Sequence, residues 1–232
     1  MLALVLLPGM DGTGELFTHF VRAIGSEFPV RIVSYPATEP LGYAKLEALV
    51  RDQLPPEGSF ILLGESFSGP IAISLAAACA TRIKGLILCC SFVRNPRSIL
   101  SGMQAFIGAL PVSIVPISVL NQFLLGSFST PSLRPALAGA VAKIASSVIR
   151  SRLKAVISVD VSKELSALKI PVLYLRASHD RVVPRTASEL ALRFCPQMRI
   201  ADVNGPHLLL QAAPFEAAEI VRAFVNETRR VS

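Results

Sequence analysis

The stretch FILLGESFSGP, residues 60–70, sets a continuous apolar run directly against a cluster of small residues and carries two serines, Ser66 and Ser68. A short apolar run bounded by turn residues reads as a buried strand. The alanine-rich Phe67–Thr81 that follows reads as a helix. Ser66 then sits on a sharp strand-to-helix turn, where the backbone is strained and the hydroxyl exposed. Strand and helix nearly collide there, so the positions two before and two after the serine must be small. Gly64 meets the first demand. Ser68 stands at the second, where the G-x-S-x-G pattern has glycine, and Gly69 comes next, so the motif is a variant. Ser68 lies a turn into the helix, flanked by Ser66 and Pro70, and is rejected as a nucleophile. The competing reading of Ser66 is an ordinary turn, and helpers elsewhere in the chain decide between the two.

Outward from this turn, apolar runs alternate with segments of helical period. Leu2–Leu7, Val30–Tyr35, Phe60–Gly64, Ile83–Cys90, Pro171–Arg176 and Arg199–Val203 read as strands. Glu15–Phe28, Leu41–Leu54, Phe67–Thr81, Arg185–Phe194 and Pro214–Glu227 read as helices. Continuously apolar strands alternating with helices predict an α/β fold, a mostly parallel sheet covered on both faces. Residues 92–168 hold no comparable strand run. The expected organisation is a core of residues 1–91 and 169–232, interrupted by a helical lid at 92–168. Sites in such sheets form beyond the carboxyl ends of the strands.

A serine hydroxyl attacks only when a base takes its proton, and the base needs a third group to orient it. Of three histidines, His19 lies within the first helix, His179 is adjacent to Asp180, and His207 follows the last strand in VNGPHLLL. His207 is the natural base. Asp180, in ASHDRVVP after the strand PVLYLR, is the natural acid, with Asp160 as the fallback. The order Ser66, Asp180, His207 is the one expected when strand-end loops of this kind of sheet supply a triad. An oxyanion needs preorganised N–H donors. Phe67, after the nucleophile, and Met10, in the loop LPGMDGTG, are assigned that role. The glycines of that loop do not form GxGxxG and no Walker lysine follows, which argues against nucleotide binding. No metal or cofactor is expected.

The 232 residues are 52% hydrophobic and carry a net charge of +7, from 23 basic and 16 acidic residues. The basic residues are scattered without interleaved aromatics, which argues against nucleic-acid binding. Cys79, Cys89, Cys90 and Cys195 form no CxxC pair and read as buried reduced thiols. The opening MLALVLLPGM lacks a basic leader and reads as a strand, so a cytoplasmic location is expected. Residues 98–133 contain no charge, yet Pro111, Pro116 and Pro131 interrupt them. Short apolar helices over a site are favoured there, with membrane-surface attachment as the lesser alternative.

The chain resembles the α/β-hydrolase family along nearly its whole length, through LLPGMDGTG, LLGESFSGP, ASHDRVVP and NGPH. It is similar to compact bacterial carboxylesterases, including the pimeloyl-carrier-protein methyl ester esterases. The resemblance implies a triad of Ser66, Asp180 and His207 and oxyanion donors at Met10 and Phe67. The family's frequent HG before the first donor is Pro8-Gly9 here, and its leading antiparallel hairpin is expected to be missing. The expected reaction is hydrolysis of a small-molecule ester through an acyl-serine, with a carrier-protein methyl ester or thioester as the alternative; a non-catalytic binding protein retaining the fold is the rival from another class. Phe106, Ile107, Leu110, Ile114, Val115, Leu120 and Phe123 could line an apolar slot for the acyl chain, or simply pack the lid. Arg134, Lys143, Arg150, Arg152 and Lys154 could dock an acidic acyl carrier protein, or form a solvated helix face.

Overall fold

The computed structural model describes residues 2–79, 81–97 and 116–231. Its strands are β1 (Ala3–Leu7), β2 (Val30–Ile32), β3 (Phe60–Glu65), β4 (Ile83–Cys89), β5 (Val172–Ala177) and β6 (Arg199–Val203). They form one sheet in the order β2-β1-β3-β4-β5-β6, and every neighbouring pair is parallel. The helices are α1 (Thr18–Ile24), α2 (Tyr43–Gln53), α3 (Gly69–Ala78), α4 (Ile117–Leu124), α5 (Leu133–Ala142), α6 (Ser146–Ser158), α7 (Ser162–Ala167), α8 (Arg185–Phe194), α9 (Leu209–Ala212) and α10 (Pro214–Val231).

Side chains alternate across a strand, so a sheet covered on both faces needs apolar residues at every position. Val5, Leu7, Leu62, Leu86, Leu88, Val172 and Tyr174 pack on one face with residues of α2, α3, α7 and α8. Leu4, Leu6, Ile61, Leu63, Ile87, Leu173 and Leu175 pack on the other with α1, α9 and α10. Each fully buried aliphatic side chain contributes about 1.5–3 kcal/mol, which is why the strand runs were so continuous in sequence.

β1 lies between β2 and β3, so the chain reverses its direction of travel across the sheet there. A crevice opens beyond the strand ends at such a reversal. The loop after β1 and the turn after β3 both face it, with Leu7 paired to Gly64.

Most element boundaries shift by a few residues from the sequence expectation. β2 is only three residues long because it is the sheet edge, with Arg31 and Ile32 exposed. The first helix opens with a 3-10 turn over Glu15–Phe17 and stops at Ile24, before Gly25 at φ 77°. The helix after the serine begins with a 3-10 turn over Ser66–Ser68. Among the described residues between β4 and β5 are α4 to α7, and the pairing found there is an isolated antiparallel bridge between Arg94 and Asp160. Leu125, Leu133, Leu137 and Ala140 cluster with Leu16 over the loop that follows β1. Among the described residues no helix is long and apolar enough to cross a membrane. Phe106, Ile107, Leu110, Ile114 and Val115 lie outside the described residues.

Candidate active site

Ser66 has φ 48°, in the left-handed region. That conformation costs a residue with a Cβ about 1–2 kcal/mol. Among the described residues the other non-glycine with positive φ is Cys90, also at φ 48°, just beyond the neighbouring strand β4. The close approach inferred for the turn is present. A Cβ on Gly64 would come 2.8 Å from the Ser68 carbonyl oxygen and 2.9 Å from the Ala72 Cβ.

The departure at Ser68 has a structural reason. The tight contact on that side falls on Gly69, whose added Cβ would come 1.7 Å from the Ser91 Oγ. Ser68 instead donates a hydrogen bond to the Pro8 carbonyl. Since that proton is committed, the Tyr35 hydroxyl donates to Ser68 Oγ, at 2.5 Å. The variant serine thereby ties the start of α3 to the chain leading into the loop after β1.

The three residues singled out from strand-end positions meet. Ser66 Oγ lies 2.9 Å from His207 Nε2. His207 Nδ1 lies 3.0 and 2.9 Å from the two carboxylate oxygens of Asp180. Asp180 Oδ1 also accepts the Val182 and Val183 N–H groups, both at 2.8 Å, which fixes the carboxylate plane. A carboxylate only accepts, so the imidazole proton belongs on Nδ1 and Nε2 is left to accept from serine. The His207 and Asp180 side chains are only 4% and 6% exposed, which shields the pair from solvent screening.

In a trans peptide the N–H points opposite to the C=O. The direction of each expected oxyanion donor is therefore set by whatever holds the carbonyl of its own peptide. For the Phe67 N–H that carbonyl is Ser66 O, held by Ser91 Oγ at 2.7 Å and by the Gly69 N–H. For the Met10 N–H it is Gly9 O, held by the Gly12 N–H at 3.1 Å. Tyr43 adds a stacked ring 4.7 Å from that of Phe67 and donates its hydroxyl to Phe67 O at 3.0 Å.

A second carboxyl sits directly before Ser66. Glu65 is 2% exposed and its Oε1 lacks a hydrogen-bond partner. Burial, reinforced by the nearby Asp11 charge, pushes its pKa up to about 8. The Gln211 amide lies alongside and lowers it somewhat, without a hydrogen bond of good geometry. The ligand atoms of Cys90, Asp180 and His207 lie within 4.8 Å of one another. Burial raises the Cys90 thiol pKa, which opposes the thiolate a metal would need, and the other two groups are already bonded together.

The remaining candidates are placed elsewhere. His19 is exposed on α1, and His179 is exposed with its ring 5.4 Å from that of Phe128. Asp160 pairs with Arg94 at 2.9 Å and accepts the Ser162 N–H at 3.0 Å. Leu120 is half-buried and Phe123 is 52% exposed on α4. The basic rim is corrected at Arg152, which is fully buried; Lys143 is exposed and ion-paired with Glu15. All four cysteines are free thiols, three of them buried and Cys79 half-buried. Ser91, Tyr35, Tyr43 and Arg152 were missed as site residues. The signal for Ser91 was its place just beyond β4, beside the strand that leads into Ser66; the others carried no local signal.

A parallel α/β sheet with a serine, a histidine and a carboxylate in hydrogen-bonded sequence beyond the carboxyl ends of its strands defines a hydrolase of the α/β type. A family model described as "Serine aminopeptidase, S33" (Hydrolase_4) matches residues 44–204, more than half of the chain, and the chain belongs to this hydrolase family. It is 23% identical to a putative carbamate hydrolase RutD of Azorhizobium caulinodans, over 97% of this chain and 91% of that one. It is 33% identical over 102 residues to phytyl ester synthase 1, chloroplastic, of Arabidopsis thaliana, a match covering 40% of this chain and only 14% of that protein. Among solved structures, a thermophilic esterase from Thermogutta terrifontis superposes with a TM-score of 0.84 at 17% identity, covering 98% of this chain and 90% of that one.

Proposed function

We propose that this hydrolase is a serine carboxylesterase that cleaves a small-molecule ester with an apolar acyl chain through an acyl-serine. The observation that carries the reading is the continuous chain Ser66 Oγ, His207 Nε2, His207 Nδ1, Asp180. In the first step Ser66 Oγ forms a bond to the ester carbonyl carbon while Nε2 takes the hydroxyl proton. The carbonyl oxygen becomes an oxyanion facing the Met10 and Phe67 N–H groups. Collapse of the tetrahedral intermediate breaks the C–O bond, and the imidazolium returns the proton to the departing alcohol. Water then repeats the sequence on the acyl-serine and releases the acid. Asp180 orients the ring and stabilises the imidazolium throughout.

In this reading residues 92–168 act as a lid. α4 lies near the base: the Leu208 N–H, next to His207, donates to Leu124 O at 3.1 Å. Leu120 and Phe123 offer apolar surface to the acyl chain. A carrier-protein methyl ester or thioester is less favoured, because Arg152 is buried and so drops out of a docking surface. Free thiols at all four cysteines suit a reducing, cytoplasmic setting.

The test is a panel of p-nitrophenyl esters of increasing acyl length, with a carbamate and a carrier-bound methyl ester, run on wild type and Ser66→Ala. The wild type should prefer a free ester, and the variant should lose activity by several orders of magnitude. Fluorophosphonate should label Ser66. Equal rates for the two proteins refute the reading.

A further inference from the structure

We infer that Arg152 is a positioning residue for the oxyanion hole, holding the Met10 turn from behind so that the Met10 N–H stays aimed at the substrate carbonyl; this deepens the esterase reading and rests on it. Arg152 stands on α6, in the segment between β4 and β5, yet its side chain is buried at 1% exposure. Nη1 donates to Met10 O at 2.6 Å and to Asp11 O at 3.1 Å, and Nη2 donates to Pro36 O at 3.1 Å. One planar guanidinium thus joins the loop after β1 to the loop after β2. It also lies 5.5 Å from the centre of the Tyr35 ring and 6.0 Å from that of Phe67. Phe67 carries the other expected donor, and Tyr35 holds Ser68.

The bonds are the ones a flexible turn needs. The Gly12 N–H fixes the peptide between residues 9 and 10 through Gly9 O. Arg152 pins the next two carbonyls, Met10 O and Asp11 O. Without it, Met10 O and Asp11 O lose their donor and only the end of the turn stays anchored, through the Tyr35 N–H to Gly12 O at 2.7 Å, so the peptides between can rotate and carry the Met10 N–H off line. Gly12 is shaped for this approach: it has φ 72°, and a Cβ there would come 2.6 Å from Nη1.

Packing alone does not explain an arginine here. Its direct partners are carbonyls rather than a carboxylate, and the Asp11 carboxylate is bonded instead to the Thr13 N–H and hydroxyl at 3.0 and 2.6 Å. Desolvating a cation without a direct ion pair is unfavourable, and an apolar side chain of similar volume would fill the space at lower cost. What the guanidinium supplies is a rigid fork of donors that spans two loops. The consequence is that the hole is completed by a helix outside the sheet core, so disturbing α6 should slow the chemical step as well as alter substrate choice.

The experiment measures kcat and KM for the best ester with Arg152→Met, Arg152→Lys and Arg152→Ala, beside Ser66→Ala. Arg152→Met is expected to lower kcat about 10- to 100-fold, with KM within about threefold, because the lost alignment is felt in the transition state. Arg152→Lys should fall between that variant and wild type, since an ammonium reaches Met10 O without bridging to Pro36. Millimolar guanidinium should raise the kcat of Arg152→Ala, and methylammonium should raise it less. Wild-type kcat in a folded Arg152→Met, checked by circular dichroism, overturns the inference even if its urea midpoint drops. If Arg152→Met does not fold, guanidinium decides: no rescue of Arg152→Ala overturns the inference. Should Ser66→Ala keep its activity, the esterase reading fails and takes this inference with it; an inactive Ser66→Ala beside wild-type kcat in the arginine variants refutes the inference alone.

Discussion

Replacing Glu65 by glutamine removes a buried ionisable group from the position next to Ser66, and the effect on stability should depend on pH. In the folded protein the Glu65 pKa is pushed up to about 8, first by burial and then by Asp11. In an unfolded chain a glutamate titrates near 4.3. Between these values the unfolded chain has released a proton that the folded chain retains, so stability falls as pH rises through that window and levels off above pH 8. One unit of difference is worth about 1.4 kcal/mol. The loss is therefore roughly 4 kcal/mol at pH 7 and up to roughly 5 kcal/mol above pH 8. The other titratable neighbours are Asp11 and the thiols of Cys89 and Cys90; burial raises the pKa values of the two thiols, so they stay neutral in the window. Glu65→Gln keeps the shape and abolishes the titration. Urea unfolding of both proteins from pH 5 to pH 9 should give similar stabilities at pH 5, with the variant increasingly the more stable towards pH 8. A difference that stays constant across the range refutes the argument, because it would mean that Glu65 titrates alike folded and unfolded.

Two further substitutions address the proposed nucleophile and its base. Asp180→Asn should retain the fold, since the amide oxygen can still accept the Val182 and Val183 N–H groups, but its NH2 then faces His207 Nδ1 and favours the wrong tautomer. Its kcat should fall about 10^3- to 10^4-fold with an unfolding midpoint near wild type, and an activity within tenfold of wild type would contradict this role. Gly69→Ala places a methyl group on the Ser91 hydroxyl, which must swing away and release Ser66 O. The expected cost is about 1–3 kcal/mol in urea unfolding together with a drop in kcat, and an unchanged kcat would show that Ser91 does not set the Phe67 N–H direction.

The parts of the site visible in the sequence were those attached to strand ends. Ser66, Asp180 and His207 each follow a run whose apolar continuity marks it as a buried parallel strand, so the run that betrays the strand also locates the residue after it. Gly64 was visible because a close approach allows no other residue. Ser68 was seen only as a departure, since its use depends on a Tyr35 hydroxyl and a Pro8 carbonyl that share no pattern with it. Arg152 was misread as part of a basic rim. Its neighbours Arg150 and Lys154 are at least partly exposed, and nothing in the helical period of α6 distinguishes a guanidinium on the surface from one threaded between two loops.

The amino-acid sequence alone determined the alternation of strand and helix, the two-faced burial of the sheet and the placing of Ser66, Asp180 and His207 after strand ends. These follow from short-range periodicity and from the requirement that backbone polar groups be paired within buried elements. Only the tertiary structure decided which carbonyls are pinned behind the expected oxyanion donors, and that Glu65 is shut away from water. Those depend on contacts between residues far apart in the chain, such as Arg152 with Met10 and Tyr35 with Ser68. A contact of that kind leaves no local pattern, because its energy is set by how layers pack rather than by which residues are neighbours.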